Sequence, residues 1–286
     1  MTTSGTGLQI EYRRMVEGDL PAAHALSQAV RWPHRLEDWQ FVHRLGTGFV
    51  AECEGAIVGT ALCWAYGSEH GSLGMVIVSP DAQGRGIGRE LMTRVLQELG
   101  ERSTLLYATL AGQPLYERLG FVAVGQLHQH QGTVFQLGTA VPPAGERIRP
   151  IGASDGPKLA RLMCRALGMP RATVLDALRK VADCVVLDGG DEPVGFAFCR
   201  RFGRGYAIGP VVAPDIERAK ALIAHWIGVR AGSFVRIDVH ESSGLTPWLA
   251  DMGLDRVDSA ITMVRGEPAH ADEGVRQFAI INQALG

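Results

Sequence analysis

Residues 76–92 read Val-Ile-Val-Ser-Pro-Asp-Ala-Gln-Gly-Arg-Gly-Ile-Gly-Arg-Glu-Leu-Met, with glycines at 84, 86 and 88. The stretch joins a strand predicted over 73–79 to a helix predicted over 88–99. Three alternating glycines at a strand-to-helix junction remove side chains where several backbone N–H groups point outward, an arrangement that receives a phosphate group. The helix N-terminus adds partial positive charge, worth about 0.3–1 kcal/mol per exposed anionic contact. Arg85 and Arg89 add full charges. The competing reading is a glycine-rich turn with no ligand. A dinucleotide fingerprint fails, because no acidic residue closes the next strand, Leu106-Tyr107-Ala108-Thr109, and hairpins rather than a parallel unit precede the loop. The Walker pattern, with Lys and Ser or Thr after its last glycine, is absent.

Working outward, the surroundings of this loop recur. Val58-Gly59, Cys63, Gly74, Val76-Ile77-Val78, Pro80-Asp81 and Leu119-Gly120-Phe121 are matched by Val194-Gly195, Cys199, Gly209, Val211-Val212, Pro214-Asp215 and Met252-Gly253-Leu254. The offsets are 136 at the first glycine, 134 at the proline and 133 at the last glycine. Such constancy identifies a duplicated domain. Each copy opens with a short strand (12–15; 147–151) and a helix capped by Asp19 or by Ser154-Asp155. In the first copy, strands over 48–53, 56–66 and 73–79 form an antiparallel meander. A helix, a strand over 104–110, a short helix over 114–119 and a final strand pair complete it. Residues 138–146 form the linker. The fold class is α+β, a mixed, mostly antiparallel twisted sheet flanked by helices, twice, over domains 1–140 and 141–286.

Glycine supplies 36 of the 286 residues with no period to explain it, which is why the loop has to be read position by position. Lys plus Arg total 28 against 30 Asp plus Glu, spread over both halves, so no basic groove for nucleic acid is indicated. No stretch has the roughly 20 apolar residues that span a bilayer, and the first residues lack a basic segment followed by an apolar one. These features predict a cytoplasmic protein. The five cysteines, 53, 63, 164, 184 and 199, never form a CxxC pair, which predicts reduced thiols and no zinc site.

The segment Gln83-Gly84-Arg85-Gly86-Ile87-Gly88 after its strand resembles the acyl-CoA motif of the GNAT N-acetyltransferase superfamily. Leu115-Tyr116-Glu117-Arg118-Leu119-Gly120-Phe121 resembles that superfamily's second signature. The resemblance covers residues 9–137, and the second half is similar to the degenerate domain of tandem members. It implies that the backbone of Val76, Ile77 and Val78 pairs with the pantetheine arm of acetyl-CoA. Gln83, Gly84, Arg85, Gly86, Ile87, Gly88 and Arg89 would then cradle the pyrophosphate. Tyr116 matches the position whose hydroxyl serves the leaving thiolate. The implied acceptor is a primary amine of a small molecule or peptide, attacking directly, without metal. The alternative is a non-catalytic acyl-CoA-binding or partner-recruiting module. Oligomeric state is left open.

An alkylammonium of pKa ~10.4 is the free amine about once in 2,500 molecules at pH 7, so a base or a depressed pKa is required. Where relatives often carry a carboxylate this chain has Ser72, and the nearby candidates are Glu69 and His70. Thr109 stands where the family often has Asn. No CoA site is expected in the second copy, where Asp215 and Glu217 would repel a pyrophosphate. His128 and His130 are read as surface residues. Asp238, His240 and Glu241 end a strand suggestively, and Trp32, Trp39 and Phe41 are read as core.

Overall fold

In a computed structural model describing residues 9–135, 140–190 and 192–286, both halves build their elements in one order. The first half runs β1 (Ile10–Arg14), α1 (Leu20–Ala29), α2 (Leu36–His43), β2 (Thr47–Cys53), β3 (Ala56–Tyr66), β4 (His70–Val78), α3 (Ile87–Leu99), β5 (Ser103–Ala108), α4 (Gln113–Arg118) and β6 (Val122–Thr133). The second runs β7 (Glu146–Pro150), α5 (Gly156–Leu167), α6 (Ala172–Leu178), β8 (Asp183–Gly189), β9 (Glu192–Phe202), β10 (Gly205–Ala213), α7 (Ile216–Val229), β11 (Phe234–His240), α8 (Thr246–Asp251) and β12 (Asp255–Arg265), then adds β13 (Arg276–Ala279). Of the linker over 138–146, residues 138 and 139 lie outside the described residues. No described helix is long and apolar enough to cross a membrane.

Local chemistry repeats with the elements. Arg13 on β1 binds Asp19 before α1 and Glu52 on β2, both at 2.8 Å. Each partner recurs 136 residues on: Arg149 binds Asp155 at 2.6 Å and Asp188 at 2.7 Å. In each half this arginine ties the first strand to the start of the first helix and to the second strand. α3 buries Ile87, Leu91, Met92, Val95 and Leu99, an apolar stripe at helical spacing that packs over β2, β3 and β4. α7 covers β8, β9 and β10 in the same way. On the opposite face, α1 and α2 share one core with α5 and α6, including Leu20, Trp39, Leu159, Met163 and Leu178.

The expected final strand pair of the first copy is instead one twelve-residue strand, and its partners lie in the other half. Among the described residues, thirteen strands form one sheet in the order β1-β2-β3-β4-β5-β12-β6-β11-β13-β10-β9-β8-β7. β12 pairs antiparallel with β5 (Ile261 opposite Ala108), and β6 pairs antiparallel with β11 (His130 opposite Ile237). Each half thus receives its neighbour's last strand. Alternation along a strand specifies which face is buried but not which chain segment supplies the next strand, so duplication hides the exchange.

His128 and His130, expected at the surface, are buried at this crossing. His128 Nδ1 meets Thr246 Oγ1 at 3.0 Å, and His130 Nδ1 meets the Leu254 carbonyl at 2.9 Å, anchoring α8. Across the shared core, buried Asp38 of α2 pairs with buried Arg200 of β9 at 3.1 Å and accepts the Gly203 N–H at 3.0 Å.

Candidate functional site

The site begins as a fault in the sheet. β4 and β5 run parallel only from His70 to Ser72 against Ser103 to Leu105. Beyond Ser72 the register of β4 against β3 shifts, and Met75 takes a left-handed backbone with φ of 53°. Such a bulge bends a strand, and the Thr60 hydroxyl secures this one by donating to the Met75 carbonyl at 2.8 Å. β4 swings away from β5 and leaves a wedge that no described strand enters.

A cleft of about 830 Å³ opens at the wedge, lined by Val76 and Val78, by Gln83, Gly84 and Gly86 of the loop, by the first turn of α3 and by Leu115 and Tyr116 of α4. The Ser79 N–H bonds the Val58 carbonyl at 2.8 Å, turning this edge of β4 toward β3, so the alternating main-chain groups of Val76 and Val78 face the cleft. The Gln83 amide donates to the Val78 carbonyl at 3.2 Å. Gly84 and Gly86 have φ of 77° and 79°, and a Cβ at either would meet nothing within 4 Å. Both therefore serve the left-handed backbone that aims the loop amides outward. Gly88 differs. A methyl there would touch Val78 and Leu115 at 3.6 and 3.7 Å, narrowing the cleft they line. No side chain caps the N-terminus of α3, so its first N–H groups are free for an anion. These features fit a phosphate-bearing ligand with an extended arm.

Two of the expected residues stand apart. Ile77 has its side chain buried 3% exposed in the core on the other face, and Arg85 is exposed and lines no part of the cleft. The alternation of β4 accounts for Ile77. Among residues the sequence did not single out, Gly112 matters because a Cβ there would press the Tyr116 ring at 3.0 Å.

A second cavity, about 260 Å³, lies on the other side of the wedge. It shares Val76, Thr109 and Tyr116 with the cleft, so the two spaces meet at the Tyr116 side chain. Its walls come from both halves, with Trp32 and His34 facing Phe202, Arg204 and Arg236, and its floor includes Asn282 and Ala284. Trp32, expected in the core, borders this cavity, whereas Trp39 and Phe41 are core. No spacing in the sequence brings residues 32, 204 and 283 together, since the strand exchange and the Asp38–Arg200 pair do so.

Tyr116 is buried against Phe121, and burial pushes its hydroxyl up to about 12. It is protonated at neutral pH and suited to donate. Ser72 is no base, as its hydroxyl donates to the Ala284 carbonyl at 3.0 Å and meets the Tyr66 hydroxyl at 2.9 Å, fixing the segment that floors the cavity. Glu69 and His70, at the far end of β4, line neither space. Asp238 binds Arg236 of the cavity wall.

The second half contrasts at every point. Its wedge between β10 and β11 is occupied by β13, which pairs with Val211 to Ala213 and with Val239. Asp215 caps α7, accepting the Arg218 N–H at 2.9 Å. The residue 133 beyond Tyr116 is Leu249, fully buried.

Residues 14–121 match the family described as Acetyltransferase (GNAT) family, and residues 159–279 match the one described as Acetyltransferase (GNAT) domain. The uncharacterized N-acetyltransferase YitH of Bacillus subtilis is 27% identical over 219 residues, spanning 75% of this chain and 76% of its own. A provisionally named acetyltransferase from Pyrococcus horikoshii superposes with a TM-score of 0.80 at 19% identity, covering 100% of this chain and 99% of that one. A tandem GNAT protein from the clavulanic acid biosynthesis pathway gives 0.64 at 14%, covering 92% and 100%. At these identities the structural likeness is one of fold.

Proposed function

Because this chain belongs to the GNAT superfamily of N-acetyltransferases, with two such domains in tandem, we propose that residues 1–140 bind acetyl-CoA in the β4–β5 cleft. The acetyl group passes to a primary amine of a small molecule or peptide held in the cavity between the halves. The observation that carries this reading is the meeting of the two cavities at Tyr116. Val76 and Val78 offer main-chain groups to the pantetheine arm, and Gly84, Gly86 and the α3 N-terminus offer N–H groups to the pyrophosphate. A thioester there presents an activated carbonyl: the amine nitrogen forms the C–N bond, the C–S bond breaks, the thiolate gains a proton and the nitrogen loses one.

Tyr116 donates a hydrogen bond to the sulfur as charge develops. A phenol near 12 lies about 3.5 pKa units above a thiol of ~8.5, about 5 kcal/mol against complete transfer, so donation outweighs acid catalysis. No cysteine lines either cavity, which supports direct attack over an acyl-enzyme. Residues 141–286 carry no CoA site in this reading. Their role is to complete the sheet and wall the acceptor cavity. The test is to incubate the full chain with acetyl-CoA and a broad amine panel while following thiol release. Release that depends on an amine is expected, and no release above the protein-free background with any amine would refute the proposal.

A further inference from the structure

The walls of the acceptor cavity carry an unbalanced set of charges. Arg31, Arg204 and Arg236 line it, against a single carboxylate, Asp258. Arg236 is answered from behind by Asp238, through bonds of 3.0 Å from Nε and 2.6 Å from Nη2. Asp258 is exposed and accepts its neighbour's Ser259 N–H at 2.8 Å. Among the described residues, the side chains of Arg31 and Arg204, both exposed at the rim, have neither a hydrogen-bond partner nor an ion pair. They reach the cavity from opposite halves. Arg31 follows α1 in a left-handed conformation, φ 61°, and Arg204 sits in the β9–β10 turn that Asp38 holds through Gly203.

Neither arginine lines the cleft on the α3 side, so neither is placed to serve the phosphates of an acyl donor there. One wall is a run of rings, Trp32, His34 and Phe202 at successive centroid distances of 5.6 and 5.3 Å, with Leu73, Met75 and Leu106 and the amides of Gln129 and Gln131 also in the lining. His34 Nδ1 is buried with no partner, a polar atom that a ligand would satisfy. At about 260 Å³ the space is smaller than the roughly 300–1,000 Å³ of drug-sized sites and suits a molecule of amino-acid size.

Building on the acetyltransferase reading above, we propose that the acceptor is a small amine that also carries a carboxylate, the pattern of an amino acid with an apolar or aromatic side chain, and that Arg31 and Arg204 bind that carboxylate. A guanidinium offers the planar pair of donors that a carboxylate matches. Polyamines and other polycations meet the two unpaired guanidiniums of Arg31 and Arg204 and are disfavoured.

The test compares initial rates of the full chain with acetyl-CoA and amino acids against their amides, methyl esters and aminophosphonic acid analogues, with spermidine as a polycation. The amino acids are expected to lead. Amidation or esterification should lower kcat/KM by 10- to 100-fold, chiefly through KM. Arg204→Met and Arg31→Met should each raise KM for the acid at least tenfold and leave the amide unchanged, with Arg204→Lys between. In a second arm independent of turnover, calorimetry on the CoA-saturated protein should find that an N-acetyl amino acid binds, that its amide does not, and that Arg204→Met abolishes binding. Amides, spermidine or phosphonates used as well as the acids would overturn the proposal, as would arginine variants that slow every acceptor equally. If no amine is acetylated, the acetyltransferase reading fails, and the binding arm alone decides whether the cavity takes a carboxylate.

Discussion

Replacing Tyr116 by phenylalanine is expected to lower kcat by about 10²–10³-fold while the Kd for acetyl-CoA changes less than about threefold. The hydroxyl is the one atom group removed. The ring keeps its packing on Phe121 and its seat over Gly112, so the cleft keeps its shape. Burial holds the phenol protonated, and a donor preorganised toward a developing thiolate is worth roughly as much as one donor of an oxyanion hole. Because it acts on charge that appears only as the C–S bond breaks, its loss should appear in kcat rather than in donor affinity. Single-turnover rates alongside titration of acetyl-CoA separate the two. Unchanged turnover would remove Tyr116 from the chemistry.

The second large effect is expected at Asp38. Asp38→Asn should destabilise the protein by about 3–5 kcal/mol, because it leaves Arg200 charged, buried and short of its partner. Arg200 is 3% exposed in its side chain, and its Nε and Nη2 already lack partners. At about 2–4 °C per kcal/mol, the melting temperature should fall by roughly 6–20 °C. Replacing both residues by apolar ones of similar volume should restore most of the loss. The pH dependence follows. Burial raises the Asp38 carboxyl, but bonds from Arg35 and Gly203 and the charge of Arg200 more than offset this and hold it below the usual range. Its contribution is therefore complete above the unfolded value of ~3.9 and is lost as pH falls through the lower folded value. Melting curves of wild type and variant should begin to approach each other only below about pH 4 and converge once the pH has fallen through the folded value. Equal melting temperatures at pH 7 would contradict the account.

Much of this was legible in the sequence where local chemistry decides. Constant offsets between the copies gave the repeated element order, since each helix cap and hydrophobic stripe had to be duplicated with the fold. The loop from Gln83 to Gly88 was legible for the same reason: only glycine takes the conformations found at 84 and 86 without cost. Ile77 sits opposite Thr60 of β3, because a motif names consecutive residues whereas a strand turns alternate ones to each neighbour. Ser72 reads as a missing base, yet in the fold it is a structural donor to the C-terminal segment. The acceptor cavity was illegible, because Trp32, Arg204 and Gln283 meet only through exchanged strands and a buried ion pair. For the second copy the sequence offered only the acidic Asp215 and Glu217, set to repel a pyrophosphate; the strand that fills its wedge, β13, lies beyond the repeat and has no counterpart to reveal it.

The central claim is that one wedge of the pair receives the acyl donor. Calorimetric titration of acetyl-CoA into the full chain tests it directly. One molecule should bind per chain, and Gly86→Val, which forces a β-branched residue into a left-handed backbone of φ 79°, should abolish that binding. Two molecules per chain, or one that persists undiminished in Gly86→Val, would contradict it.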